Sequence, residues 1–145
     1  MTITWLIRYG HVLSGAFWVG GYALLALIVI PLMRRGANEA LTQLTLAAVR
    51  ALTYAGTLTI FFGVVLITRS RGTAALLRGE WGALIIASLV IAIVLLGIGD
   101  GALRPAIRRL AAGGDGRAAQ RYAMAGLVLT VLAIGLMTRA LYAGS

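Results

Sequence analysis

Four apolar stretches, each about 20 residues or longer, dominate the chain, and that is the length a helix needs to cross a hydrocarbon core of ~30 Å. They run from about Thr4 to Ile30, Leu46 to Thr68, Trp81 to Leu103 and Tyr122 to Tyr142. Inside a bilayer every backbone N–H and C=O must be satisfied internally, which leaves only helices or a closed barrel. A barrel strand alternates apolar and polar residues, and these stretches do not alternate. The sequence therefore predicts an all-α fold, a transmembrane up-down four-helix bundle, with residues 1–145 forming a single integral membrane domain. Pro31 is expected to stop the first span, and Pro105 lies just past the third.

Composition agrees with this reading. Hydrophobic residues make up 61% of the 145 positions, charged residues 12%, and the mean hydropathy is +0.96. A soluble domain has about 45–50% apolar and about 25% charged residues. The first stretch is too long for a signal peptide and lacks a small-residue cleavage site after a short apolar core, so it is expected to be retained. The absence of cysteine excludes disulfides, thiolate chemistry, iron–sulfur clusters and c-type haem attachment. The connections MRRGANEA, RSRGTAALLRGE and RPAIRRLAAGGDGRAAQR are short and polar, which favours antiparallel neighbours.

All 13 basic residues are arginine, and the net charge is +9. With the Ala, Gly, Leu and Val bias, this composition suggests a GC-rich bacterial genome, and hence the bacterial inner (cytoplasmic) membrane. The arginines are expected to flank spans and meet anionic lipid headgroups of the bilayer. No basic run is long or interleaved with exposed aromatics, so nucleic acid is not an expected partner. Arg34, Arg35, Arg50, Arg104, Arg108, Arg109, Arg117 and Arg121 fall on one side of the four-span topology. Arg8, Arg69, Arg71, Arg78 and Arg139 fall on the other. The positive-inside rule then places both termini on the outer side.

His11 is the only histidine, and it lies within the first span. An ionisable ring at that depth is costly and marks a candidate functional site. At helical spacing His11, Gly15, Trp18 and Tyr22 share one face. Arg8 lies one turn nearer the surface on the same side. A haem b site needs an axial imidazole, room for a flat macrocycle and cations near the propionates. His11 offers the ligand, Gly15 the gap, Trp18 and Tyr22 an aromatic wall, and Arg8 the cation. A competing reading makes His11 a structural residue, hydrogen-bonded to a neighbouring helix through Thr57, Thr59, Thr130 or Thr138. Small residues at Ala16 and Gly20, Gly56 and Gly63, Gly97 and Gly101, and Gly126 and Gly135 are expected to serve helix packing. A zinc or copper site within one chain needs three or four ligands, and four acids, one histidine and no cysteine do not readily supply them.

The stretch WLIRYGHVLSGAFWVGG, from Trp5 to Gly21, resembles the opening of the copper-resistance D-type membrane proteins. It is also similar to the first helix of the J-type protoporphyrinogen oxidases and of the membrane part of certain bacterial urate oxidases. In that superfamily of four-helix membrane proteins an early histidine is followed seven residues later by an aromatic and then a glycine. Those positions here are His11, Trp18 and Gly20. The resemblance implies that His11 is a haem b ligand. The J-type members also use a lysine and a second histidine, which this chain lacks.

With one histidine, the iron would be five-coordinate, take a methionine such as Met124 or Met137, or use His11 of a second subunit. The last option implies a homodimer across the first helix at Ala16 and Gly20. The expected function is a haem b-binding membrane protein acting in electron transfer or redox sensing. The alternatives are a cofactor-free structural or assembly subunit of a larger membrane complex, and a copper or small-solute transport component.

Overall fold

The computed structural model describes residues 2–143, and it is helical almost throughout, with no strand among them. Four helices are long and apolar enough to cross a membrane. They are α1 (Ile3–Arg35), α2 (Glu39–Arg69), α3 (Gly79–Ala111) and α4 (Arg117–Tyr142). They pack as an all-α up-down bundle in which α1 lies between α2 and α4. The ends of α1 and α3 and the starts of α2 and α4 form one end of the bundle, which carries eight of the arginines. The opposite end carries His11.

Each helix outruns the span read from sequence. Asn38 caps α2, its side chain accepting from the Leu41 N–H at 2.8 Å, so the helix starts at Glu39 rather than near Leu46. Arg117 and Arg121 belong to α4, and Arg104, Arg108 and Arg109 belong to α3. The second connection holds one short 3₁₀ turn, Thr73–Leu77.

Pro31 does not end α1, contrary to the sequence expectation. The helix widens into a π turn over Leu25–Val29 and continues to Arg35. The Ile30 N–H reaches back to the Leu25 carbonyl rather than to Ala26. The next donor would be residue 31, and proline has none. The Ala26 carbonyl is thus left open inside the bundle, where an unpaired polar group is costly. Gln120 Nε2 of α4 donates to it at 2.8 Å.

The same device recurs in α3. A π turn over Ile98–Leu103 precedes Pro105, with the Arg104 N–H reaching back to Gly99. Tyr22 Oη of α1 donates to the Leu95 carbonyl just before this turn, at 2.9 Å. The two helices even share a local motif: Pro31-Leu32-Met33-Arg34-Arg35 and Pro105-Ala106-Ile107-Arg108-Arg109. In both, the residue two after proline is buried and the paired arginines face out.

The core lies toward the arginine end. Ile30, Met33, Val49, Leu103, Ile107 and Ala119 are all essentially inaccessible there. The buried residues of α2 run only from Thr45 to Gly56, and none from there to Arg69 is buried. The bundle is closed at the arginine end and splayed at the histidine end.

Candidate functional site

His11 faces α2. Its Nδ1 lies 2.8 Å from the backbone carbonyl of Thr59. A carbonyl only accepts, so Nδ1 carries the proton and Nε2 holds a free lone pair. The ring reaches that carbonyl over the bare Cα of Gly63, where an added Cβ would sit 3.1 Å from His11 Cε1. Among the described residues Nε2 has no hydrogen-bond partner. His11 is half-buried, about eight residues from the start of α1.

A small hydroxyl cluster sits beneath the ring. Ser14 Oγ donates to the Gly10 carbonyl at 2.7 Å. Thr59 Oγ1 lies 2.8 Å from the Ala55 carbonyl and 3.0 Å from Ser14 Oγ. With a single proton it donates to one of them at a time. These bonds tie α1 to α2 at the level where the ring must be held.

The rest of the stripe packs against other helices. Trp18 is 5% exposed and lies over Gly56, where a Cβ would stand 2.6 Å from the indole. His11 and Trp18 are seven residues apart on α1, and Gly63 and Gly56 are seven apart on α2. The two glycines are the recesses that receive the two rings. Tyr22 is 1% exposed, and a methyl at Gly126 of α4 would overlap its ring. The space lined by Trp18, Tyr22, Leu52, Leu95 and Gly99 has no room for a water molecule. Trp18 and Tyr22 therefore form a closed layer beneath His11. Gly15 faces Thr59 at ordinary contact distance, 3.7 Å from an added Cβ to Thr59 Cγ2. Arg8 is exposed.

The two methionines considered as ligands occupy different ends. Met124 is 37% exposed and lies two residues from Gly126, hence near the level of Tyr22. Met137 is half-buried and continues the inward stripe of α4 formed by Gly126, Thr130 and Ala140. Tyr22 packs on Gly126, and α1 and α4 are antiparallel. Eleven residues from Tyr22 to His11 thus match eleven from Gly126 to Met137, about 16 Å along each helix. Met137 lies at the depth of His11.

Ala16 and Gly20 lie on the outer face of α1, with nothing near an added Cβ at Gly20. That face points away from α2 and from His11. A homodimer formed through Ala16 and Gly20 would hold the two His11 rings apart rather than together. Asp100, read as a solvated helix end, pairs with Arg104 at 2.8 Å. Trp5 and Tyr9 are exposed and stack on each other with centroids 5.5 Å apart, as interface anchors do. No group of three His, Cys, Asp or Glu side chains among the described residues is placed to hold a metal ion.

No protein-family model matches this chain, and no curated protein or solved structure shows significant similarity to it.

The donor chemistry at the histidine end suits a haem iron. A metal-ligating histidine almost always donates its other ring N–H to a carbonyl or carboxylate, which fixes the tautomer and the ring orientation. His11 has that arrangement. The inner faces around it are half-exposed, whereas the level of Trp18 and Tyr22 is filled. Sequence reasoning named Thr59 among possible partners but not its carbonyl. It missed Ser14 and Gln120, whose roles depend on helix neighbours far away in the chain.

Proposed function

We propose that this is a multi-pass protein of the bacterial inner membrane, with both termini on the outer side, that holds haem b at its histidine end. It would act in electron transfer or redox sensing. The observation that carries the reading is the hydrogen bond from His11 Nδ1 to the Thr59 carbonyl. It presents Nε2 as a ready axial ligand at a splayed end of an otherwise packed bundle. Arg8 is the cation available to a propionate, through charge-assisted hydrogen bonds. Gly15 and Gly63 keep the ground around the imidazole low. Trp18 and Tyr22 close the bundle beneath. A bound haem b supplies one-electron Fe(III)/Fe(II) chemistry.

The test is a pyridine haemochrome assay on protein purified from haem-supplied cells. The expected result is one haem b per chain, lost in His11→Ala while the variant still purifies as a folded membrane protein. Colourless wild-type protein refutes the reading.

A second reading, a cofactor-free structural subunit of a membrane complex, draws on a different observation. Gly20, Gly97 and Gly101 have nothing near an added Cβ and lie on outer faces of α1 and α3. Such positions let another membrane helix approach closely. It predicts colourless protein that co-purifies with a defined partner.

A further inference from the structure

We propose that Met137 supplies the second axial ligand, its Sδ opposite His11 Nε2, so that the haem iron is held by one imidazole and one thioether from a single chain. This rests on the haem reading above and adds the ligand set to it.

Three observations lead there. The helix register fixed by Tyr22 on Gly126 puts Met137 at the depth of His11. Met137 extends the buried stripe of α4 through Thr130 and Ala140, so it lies on the inward side of that helix. At this level the bundle is splayed, with His11, Gly63 and Met137 all half-exposed, so the two helices are not already sealed against each other. The rival donors fail on placement. Met124 belongs to the packed level eleven residues deeper on the same register, and Met33 is buried at the arginine end. A second copy docked on Ala16 and Gly20 meets the face of α1 opposite the imidazole. A thioether is a soft, neutral donor that favours Fe(II), so a histidine–methionine pair raises the reduction potential.

The experiment compares wild type, Met137→Leu, Met137→His and Met124→Leu, each purified with haem. Leucine and methionine are close in volume, so Met137→Leu is expected to fold. The readouts are the oxidised and reduced absorption spectra, carbon monoxide binding to the ferrous form, and the midpoint potential. Wild type should show a six-coordinate low-spin spectrum and slow carbon monoxide binding. Met137→Leu should keep its haem, become five-coordinate high-spin, bind carbon monoxide at least tenfold faster and shift to lower potential. Met137→His should restore the low-spin spectrum at a potential below wild type. Met124→Leu should match wild type throughout. If Met137→Leu retains haem with an unchanged spectrum and potential, the ligand assignment is wrong while the haem reading stands. If Met124→Leu produces the high-spin change instead, Met124 is the ligand. Wild-type protein without haem overturns both.

Discussion

At the arginine end of the bundle Ile30, Met33, Val49, Leu103, Ile107 and Ala119 are buried to completion, whereas at the histidine end the inward-facing His11, Gly63 and Met137 stay half-exposed. The closed end also holds the two π turns and the side chains that service them, Gln120 on Ala26 and Tyr22 on Leu95. Helix association in lipid rests on close packing and interhelical hydrogen bonds rather than on burial from water. The closed end has both and acts as the clamp. The open end gives up packing around a pinned imidazole, which is where a ligand would add the contacts that are missing.

Crowding the seam between the ends should do most damage. Gly126→Leu places a side chain where the Tyr22 ring already lies. No folded bundle is expected, read as loss of monodisperse protein on size exclusion in detergent. Folded Gly126→Leu protein of wild-type thermal stability would show that Tyr22 is not locked there. Trp18→Ala empties the recess over Gly56 and should cost about 3–5 kcal/mol in unfolding free energy, as for other large core deletions. A cost under about 1 kcal/mol would mean that the layer beneath His11 is not closed.

The proline repair can be isolated by a double-mutant cycle. Gln120→Leu strands the Ala26 carbonyl and should cost about 1–3 kcal/mol. In a Pro31→Ala background residue 31 regains an N–H that can claim this carbonyl, so the same change should cost about 1 kcal/mol less. Equal costs in both backgrounds would remove the link between Pro31 and Gln120. Gly15→Ala should be the mildest change, within about 0.5 kcal/mol of wild type, since the new methyl meets Thr59 at ordinary contact distance. A large loss there would show that the histidine end is as tightly packed as the other.

The four spans were legible because length and apolarity are local properties of the chain. Their true ends were not. Continuation of α1 past Pro31 depends on Gln120, 94 positions away, arriving beside Ala26. The face shared by His11, Gly15, Trp18 and Tyr22 was legible from spacing alone. What each residue meets was not, because that requires the register between helices. The sevenfold spacing of His11 and Trp18 matches that of Gly63 and Gly56 only once α1 and α2 are set side by side. Trp18 and Tyr22 looked like a wall for a flat ligand and are the layer that closes the bundle. Ala16 and Gly20 looked like a route for bringing two histidines together and lie on the opposite side of the helix.

The most direct test of the division between a clamped end and a ligand-ready end is amide hydrogen exchange of the purified protein with and without added haem. The account predicts new protection confined to residues 7–15 of α1, 59–67 of α2 and 133–140 of α4, with the arginine end unchanged, and none of it in His11→Ala. Protection that appears at the arginine end, or the same pattern in His11→Ala as in wild type, would contradict it.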